Sequence, residues 1–206
     1  EGQHASMAGL ATSGTLTHWF KDQFAKELKE EDRIEVLTKE AQKSSPGANG
    51  LILLPYFSGE RSPIHDANAR GMLFGLNLTH NRGDMFRALL EGIAYGTKHV
   101  TDTFCELGQP PKKVFAVGGG TKNKVWLQAT SDITGLDQEV RKNTIGASYG
   151  NAFMAALSIG KASVTDISLW NPVVKTITAR SNPDYDSYYN IFRELYIKNR
   201  DLMIKL

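Results

Sequence analysis

The sequence predicts an α/β fold, and three observations carry that prediction. The run Val117-Gly118-Gly119-Gly120-Thr121-Lys122-Asn123-Lys124-Val125-Trp126-Leu127-Gln128 reads as a buried strand, a glycine turn and a helix. A strand at 113–117 enters that turn, a helix over 123–134 leaves it and a short strand at 137–140 follows, which is a β-α-β order. Elsewhere, short apolar runs alternate with longer segments whose apolar residues recur at helical spacing.

The elements follow in order. Residues 2–15, rich in Gly, Ala, Ser and Thr, predict a loop, after which Leu16, Trp19, Phe20, Phe24 and Leu28 mark a first helix. Ile34, Leu37 and Ala41 are the inward face of a second helix over 32–43, which stops at Ser44-Ser45-Pro46-Gly47. The apolar run 51–54 predicts a buried strand, 56–70 a long ordered loop and 71–76 a short strand. From Asp84, read as an N-cap after Gly83, the positions Met85, Leu89, Leu90, Ile93, Val100 and Phe104 trace one face of a long helix ending near Leu107-Gly108. A helix over 148–159 carries Gly150, Ala152, Ala155 and Ala156, small enough for close packing, with Gly160 as its C-cap. Residues 173–179 read as extended, and 185–206 as an aromatic, charged helix suited to covering the core or serving an interface.

Composition bounds the function. With 206 residues, 41% hydrophobic and 22% charged, the chain can bury a substantial core. Its 24 Lys and Arg exceed 22 Asp and Glu by only two and lie scattered, so nucleic acid is not indicated. Cys105, the only cysteine, excludes an intrachain disulfide and a cysteine zinc cluster; it is expected in the core and favours a reducing, cytoplasmic setting. The longest apolar stretch, 51–57, is broken by Pro55 and too short to span a membrane. The chain starts at Glu1 rather than Met, and its first twenty residues resemble the interior of a fold, so a fragment is expected.

The glycine turn is the candidate site. Glycines permit positive φ and close approach of the backbone to a ligand, and a helix start aims unpaired N–H groups and positive dipole at the same point, an anion cradle suited to phosphate. Neither GxGxxG nor GxxxxGK(S/T) occurs, which disfavours a dinucleotide fold and a P-loop. A tight turn without a ligand remains the plain alternative.

Three segments extend the argument. Gly71-Met72-Leu73-Phe74-Gly75-Leu76 followed by Asp84-Met85-Phe86-Arg87-Ala88-Leu89-Leu90-Glu91 is the first. The glycine turn with Asn123, Trp126, Gln128 and Ser131-Asp132-Ile133-Thr134-Gly135 is the second, and Gly59-Glu60-Arg61-Ser62-Pro63 ahead of Asn68-Ala69-Arg70-Gly71 the third. On these segments and their spacing, covering about 1–160, the chain resembles the C-terminal half of the FGGY carbohydrate kinases, a family that includes glycerol kinase, xylulokinase, gluconokinase and ribulokinase.

The resemblance implies a single domain over 1–206 of the actin, hexokinase and Hsp70 type (ribonuclease H-like), a mixed sheet flanked by helices, forming the ATP-binding half of a two-lobed enzyme. It implies transfer of the γ-phosphoryl of Mg-ATP to a sugar hydroxyl. Gly119 and Gly120 would lie against the α-phosphate and Asn123 near the nucleoside, with Gly118 and Thr121 also in the ATP-binding set and Gly14, Thr17 and His18 on the opposite wall. The general base, an aspartate, and most sugar contacts are then expected upstream of Glu1, with Mg2+ held by phosphates, water and those upstream residues, so that the chain alone is expected to be inactive. Where many members carry an acidic residue and Ala-Leu-Gly-Ala-Ala, this chain has Thr144-Ile145-Gly146-Ala147-Ser148-Tyr149-Gly150-Asn151-Ala152, which leaves the sugar open among xylulose, gluconate and others.

Two rivals stay open: a non-catalytic nucleotide-binding or homodimerisation domain of a pseudokinase, and a dehydrogenase domain with Asp137 or Glu139 as its acidic residue. Other polar residues read as structural. Asp84 and Glu91 are a cap and a backbone or arginine partner, Glu60 and Arg61 brace their loop, Asp132 belongs to the helix, and Trp19 and Trp126 anchor the core. His4, His65, His80 and His99 lack metal-ligand spacing.

Overall fold

Residues 5–206 are described by the computed structural model; His4 lies outside them. Helix α1, Gly14–Phe24, buries Leu16 and Phe20, and α2, Arg33–Lys43, buries Leu37 and Ala41. The first helix stops short of Leu28 because Ala25, fully buried, takes a non-helical φ of −137° while its amide still closes on Lys21 O at 3.2 Å. Strand β1, Ile52–Leu54, pairs antiparallel with β2, Met72–Phe74, placing Ile52 opposite Phe74 and Leu54 opposite Met72.

Helix α3, Arg82–Glu106, lies across β1. The contact depends on Gly92, where any Cβ would collide with the Leu53 carbonyl. This helix starts a turn earlier than Asp84 suggested. Asn81 is the N-cap, its Oδ1 accepting from the amides of Gly83 (2.8 Å) and Asp84 (3.3 Å), while Asp84 Oδ2 accepts from the Asn81 amide at 2.9 Å. Asp84 therefore holds the third helical position of a reciprocal capping box.

The β-α-β order forms as its sequence predicts, but its first strand is not buried as expected: Phe115 is 43% and Val117 58% exposed. Strand β3, Val114–Ala116, runs parallel to β4, Gln138–Arg141, with α4, Lys124–Thr134, between them, and β5, Val173–Ile177, joins β4 antiparallel. The sheet order β3-β4-β5 is thus mixed, separate from the β1-β2 pair. Gln138 ties the layers together by donating to Leu127 O (2.8 Å) and Ser131 Oγ (2.9 Å) on α4. Helix α5 spans Ala147–Ser158, α6 Ile167–Trp170 and α7 Pro183–Met203.

Helix α7 covers the core. Tyr185, Tyr189, Phe192, Leu195 and Met203 are buried with Tyr56 and Tyr95, and Tyr95 stacks on Tyr189 with ring centres 6.2 Å apart. The close packing expected of α5 is not found among the described residues: only Phe153 is buried, against Trp170 at 5.2 Å, and a Cβ at Gly150 would meet nothing. Cys105 is exposed rather than core, because it falls in the last turn of α3 beyond the part that other elements cover. Trp19 is 39% exposed and packs edge-on against Phe57 rather than inside the core, whereas Trp126 is partly buried against it. No helix among the described residues is long and apolar enough to cross a membrane.

Candidate functional site

A cleft of about 1380 Å³ opens between α1 and α2 on one side and the β3–α4 connection on the other. Gly14, Thr17 and His18 line the first wall and Gly119, Gly120, Thr121 and Asn123 the second, so seven of the eight residues singled out from sequence meet in one space. Gly118 is not among the lining residues. It sits behind them with φ 84° and ψ −173°, a region essentially restricted to glycine, and its amide donates to Thr144 O at 2.6 Å. Gly118 shapes the turn and presents no donor.

The turn differs in detail from the sequence expectation. Of its three glycines only Gly118 has positive φ, and Gly119–Lys122 form one turn of 3₁₀ helix before α4 begins. The first two amides of that turn, Gly119 N and Gly120 N, donate to no described residue. A Cβ at Gly119 would meet open space, and one at Gly120 would press on the Trp126 ring at 3.0 Å. The first two amides of α4, Lys124 N and Val125 N, likewise donate to no described residue, whereas the third is capped: Asn123 Oδ1 accepts from Trp126 N at 3.1 Å.

Asn123 is also the link between walls. It is 7% exposed, and its Nδ2 donates to Thr38 Oγ1 on α2 at 3.1 Å. The Thr121 hydroxyl donates to Gly118 O and that of Thr17 to Gly14 O, each at 2.7 Å, so both brace their own turns. His18 is exposed at the rim. On the first wall, Ser13 caps α1 with no side-chain bond, and a Cβ at Gly14 would meet nothing, which leaves that helix start open toward the cleft.

The sequence reading missed the contribution of α2, whose Ile34, Thr38 and Gln42 line the cleft, and that of Leu10. Their spacing of four along the helix marks one face, but nothing in it separates a cleft face from a core face.

The remaining polar residues are structural. Glu91, 1% exposed, is pushed up by burial and drawn back by Arg87; one oxygen accepts from Arg87 Nε (2.7 Å), Tyr185 Oη (2.9 Å) and the Gly47 amide (3.1 Å). Burial would also raise Asp84, yet the Asn81 amide and Asn49 Nδ2 hold it below the ordinary carboxylate range. Asp132 accepts from Gln128 and the Arg180 amide. Asp137 Oδ1 accepts from the Ala179 amide at 2.8 Å, which commits it to the chain just beyond β5. Among the described residues no group of three His, Cys, Asp or Glu could cage a metal ion.

Comparison with known proteins agrees with this geometry. Residues 1–159 match the FGGY family of carbohydrate kinases, C-terminal domain. The chain is similar to a xylulose kinase of Staphylococcus epidermidis, 30% identical over 205 residues that are 98% of this chain and 40% of that protein. It is also similar to a gluconokinase of Bacillus subtilis, 35% identical over 184 residues, 84% of this chain and 35% of that protein. The solved structure of xylulose kinase from Rhodospirillum rubrum superposes with a TM-score of 0.82 at 31% identity, over 94% of this chain and 39% of that one. The chain thus spans about 40% of the length of the curated relatives it matches first. With 159 of 206 residues matched and the α/β fold of solved sugar kinases, of the actin and hexokinase type, reproduced, the chain belongs to the FGGY family of carbohydrate kinases.

Proposed function

We propose that this chain is a single domain forming the nucleotide wall of an ATP-dependent carbohydrate kinase, which moves the γ-phosphoryl of ATP to a sugar hydroxyl. The observation that supports the reading most is the pair of free amides at Gly119 and Gly120, open to a cleft whose far wall is the uncapped start of α1. Phosphoryl transfer relies on positioning and charge stabilisation more than on covalent chemistry, and both features supply donors to phosphate oxygens. In this reading Gly119 and Gly120 contact the phosphates, Asn123 fixes the turn near the nucleoside, and Gly14, Thr17 and His18 border the nucleotide opposite. Gly118 and Thr121 hold the turn's shape.

The sugar is of the class named for the relatives, xylulose, gluconate or ribulose. The general base and sugar contacts are assigned to the part of the full-length kinases that this chain does not match. Magnesium is usually bound through substrate phosphates and water with one or two carboxylates. The described residues offer no caged site, so the ion is assigned to the nucleotide and to the rest of the enzyme, and no step is derived through it. A cytoplasmic setting fits an ATP-dependent enzyme with one exposed thiol.

Calorimetric titration with ADP and, separately, NAD tests the reading. ADP should bind and NAD should not, and Gly119→Ala should cut ADP affinity about tenfold without destabilising the chain, since the added methyl enters open space. NAD binding, or ADP binding indifferent to Gly119→Ala, sinks the assignment.

A further inference from the structure

The segment that leads into the first wall of the cleft has little to hold it in place locally. Residues 5–10 have no regular structure, α1 begins only at Gly14, and Ser13 makes no side-chain cap. Its support comes from a loop far away in sequence, the Gly59-Glu60-Arg61-Ser62-Pro63 segment, which does not line the cleft. Glu60 Oε1 accepts from the Ala11 amide at 2.6 Å, Ser62 N donates to Gly9 O at 3.3 Å and Arg61 Nη2 donates to Leu10 O at 3.3 Å. The Thr12 hydroxyl donates to Pro55 O. Three consecutive residues, 9–11, are each bonded to this loop, and Thr12 is bonded to the chain just before it.

Glu60 is the centre of the arrangement. It is 4% exposed, and the same oxygen that takes the Ala11 amide also accepts from its neighbour Arg61 N at 2.7 Å. Its other oxygen has no partner among the described residues. Burial pushes its carboxyl up while the two amides pull it back, so the folded chain tolerates a costly group in order to hold two main-chain donors. The loop in turn is anchored to the core. Glu60 and Asp66 exchange backbone bonds of 2.8 and 2.9 Å, and Asp66 Oδ2 accepts from Tyr196 Oη on α7 at 2.8 Å.

We propose that Glu60 is a positioning residue of the nucleotide site, fixing the wall that carries Leu10 and Gly14 from behind through the Ala11 amide. The proposal rests on the nucleotide reading of the cleft. It assigns the buried carboxylate a role that neither loop stability nor ligand contact describes: transmitting the rigidity of the α7 core to residues 9–12, which enter the wall without helix or strand of their own.

The test compares Glu60→Ala with Glu60→Gln, which keeps a carbonyl oxygen where the Ala11 amide needs one. Two readouts are taken on each chain: amide hydrogen exchange at residues 9–14, and ADP affinity by calorimetry. Glu60→Ala should speed exchange at Ala11 and its neighbours while leaving the amides of α4, on the opposite wall, unchanged, and should weaken ADP binding about tenfold. Glu60→Gln should restore most of both. If Glu60→Ala does not fold, Glu60→Asp, one methylene shorter, takes its place. Unchanged exchange at Ala11, or a glutamine variant as impaired as the alanine one, overturns the proposal. If the unaltered chain binds no ADP, the nucleotide reading fails and the proposal with it; if it binds ADP while Glu60→Ala binds equally well, only the positioning role fails.

Discussion

The two halves of the molecule are built to different standards. Around α3, β1 and α7 the side chains form two continuous clusters, with Leu37, Leu54, Leu89, Leu90, Phe86 and Phe192 at 0% exposure. Around β3, β4 and β5 the third cluster holds only Leu127, Val140 and Ile177, with Ala116 packed against it. The first half also buries an ion pair, Arg87 with Glu91, and completes it with Tyr185, Gly47 and the carbonyls of Ala41 and Ser44. The second half buries little and presents the glycine turn at its open edge. The turn whose Gly119 and Gly120 amides donate to no described residue sits on the thinly packed side, where few neighbouring residues compete for its donors, while the dense side supplies the rigidity.

The largest expected effect lies in the dense half. Arg87→Ala leaves Glu91 buried without its counter-charge, and should cost about 3–5 kcal/mol in urea unfolding, the usual penalty for breaking a buried pair from one side. A cost below about 1 kcal/mol would erase the contrast between the halves.

Next comes the turn itself. Gly118→Ala forces a Cβ into φ 84° and ψ −173°, at a cost of about 1–3 kcal/mol although no neighbouring atom is within 4 Å. The same unfolding measurement sharpens the comparison, because here the loss comes from backbone strain alone and should exceed that of Gly119→Ala. Equal stabilities for the two variants would show that the turn relaxes freely.

Asn123→Ala removes the cap of α4 and the bond to Thr38, and about 1 kcal/mol is expected from the cap. Thr38→Val should lose less, and in its presence Asn123→Ala should cost less than it does alone; additive losses would mean the inter-wall bond contributes nothing.

The effect that is smallest at neutral pH, and grows only on acidification, is a pH slope in the dense half. His99 adjoins a small cavity with Tyr56, Arg193 and Tyr196, where burial and then the Arg193 charge lower its pKa from 6.5 to about 4, against an opposing pull from Asp102. The unfolded chain takes up this proton first, so the contribution is complete above pH 6.5 and is lost as pH falls from there toward 4. His99→Gln should flatten that part of the stability curve; an unchanged slope would place its origin elsewhere.

Much of this was legible in the residues. The β-α-β unit around the glycine turn, the long α3 and the apolar β1 follow from periodicity and turn chemistry, and the resemblance of three spaced segments led to the family. The misses share a cause. Asp84 reads as a cap until Asn81 is seen to reach its amide, Ala25 ends α1 with no Gly or Pro to announce it, and Cys105 and Trp19 have core-like chemistry but lie where no other element covers them. Each was decided by what another part of the chain brought, or failed to bring, alongside.

The order of elements, the position of the glycine turn and the family to which the chain belongs were determined by sequence alone, because they depend on local spacing and residue type. Which amides stay free, that Gly118 shapes the turn while Gly119 opens onto the cleft, and that residues near 60 hold residues near 11 were decided only by tertiary structure. These depend on contacts between positions some fifty residues apart, and the cost of burying Glu60 beside Ala11 is set by where the folded backbone places them, which no spacing in the chain encodes.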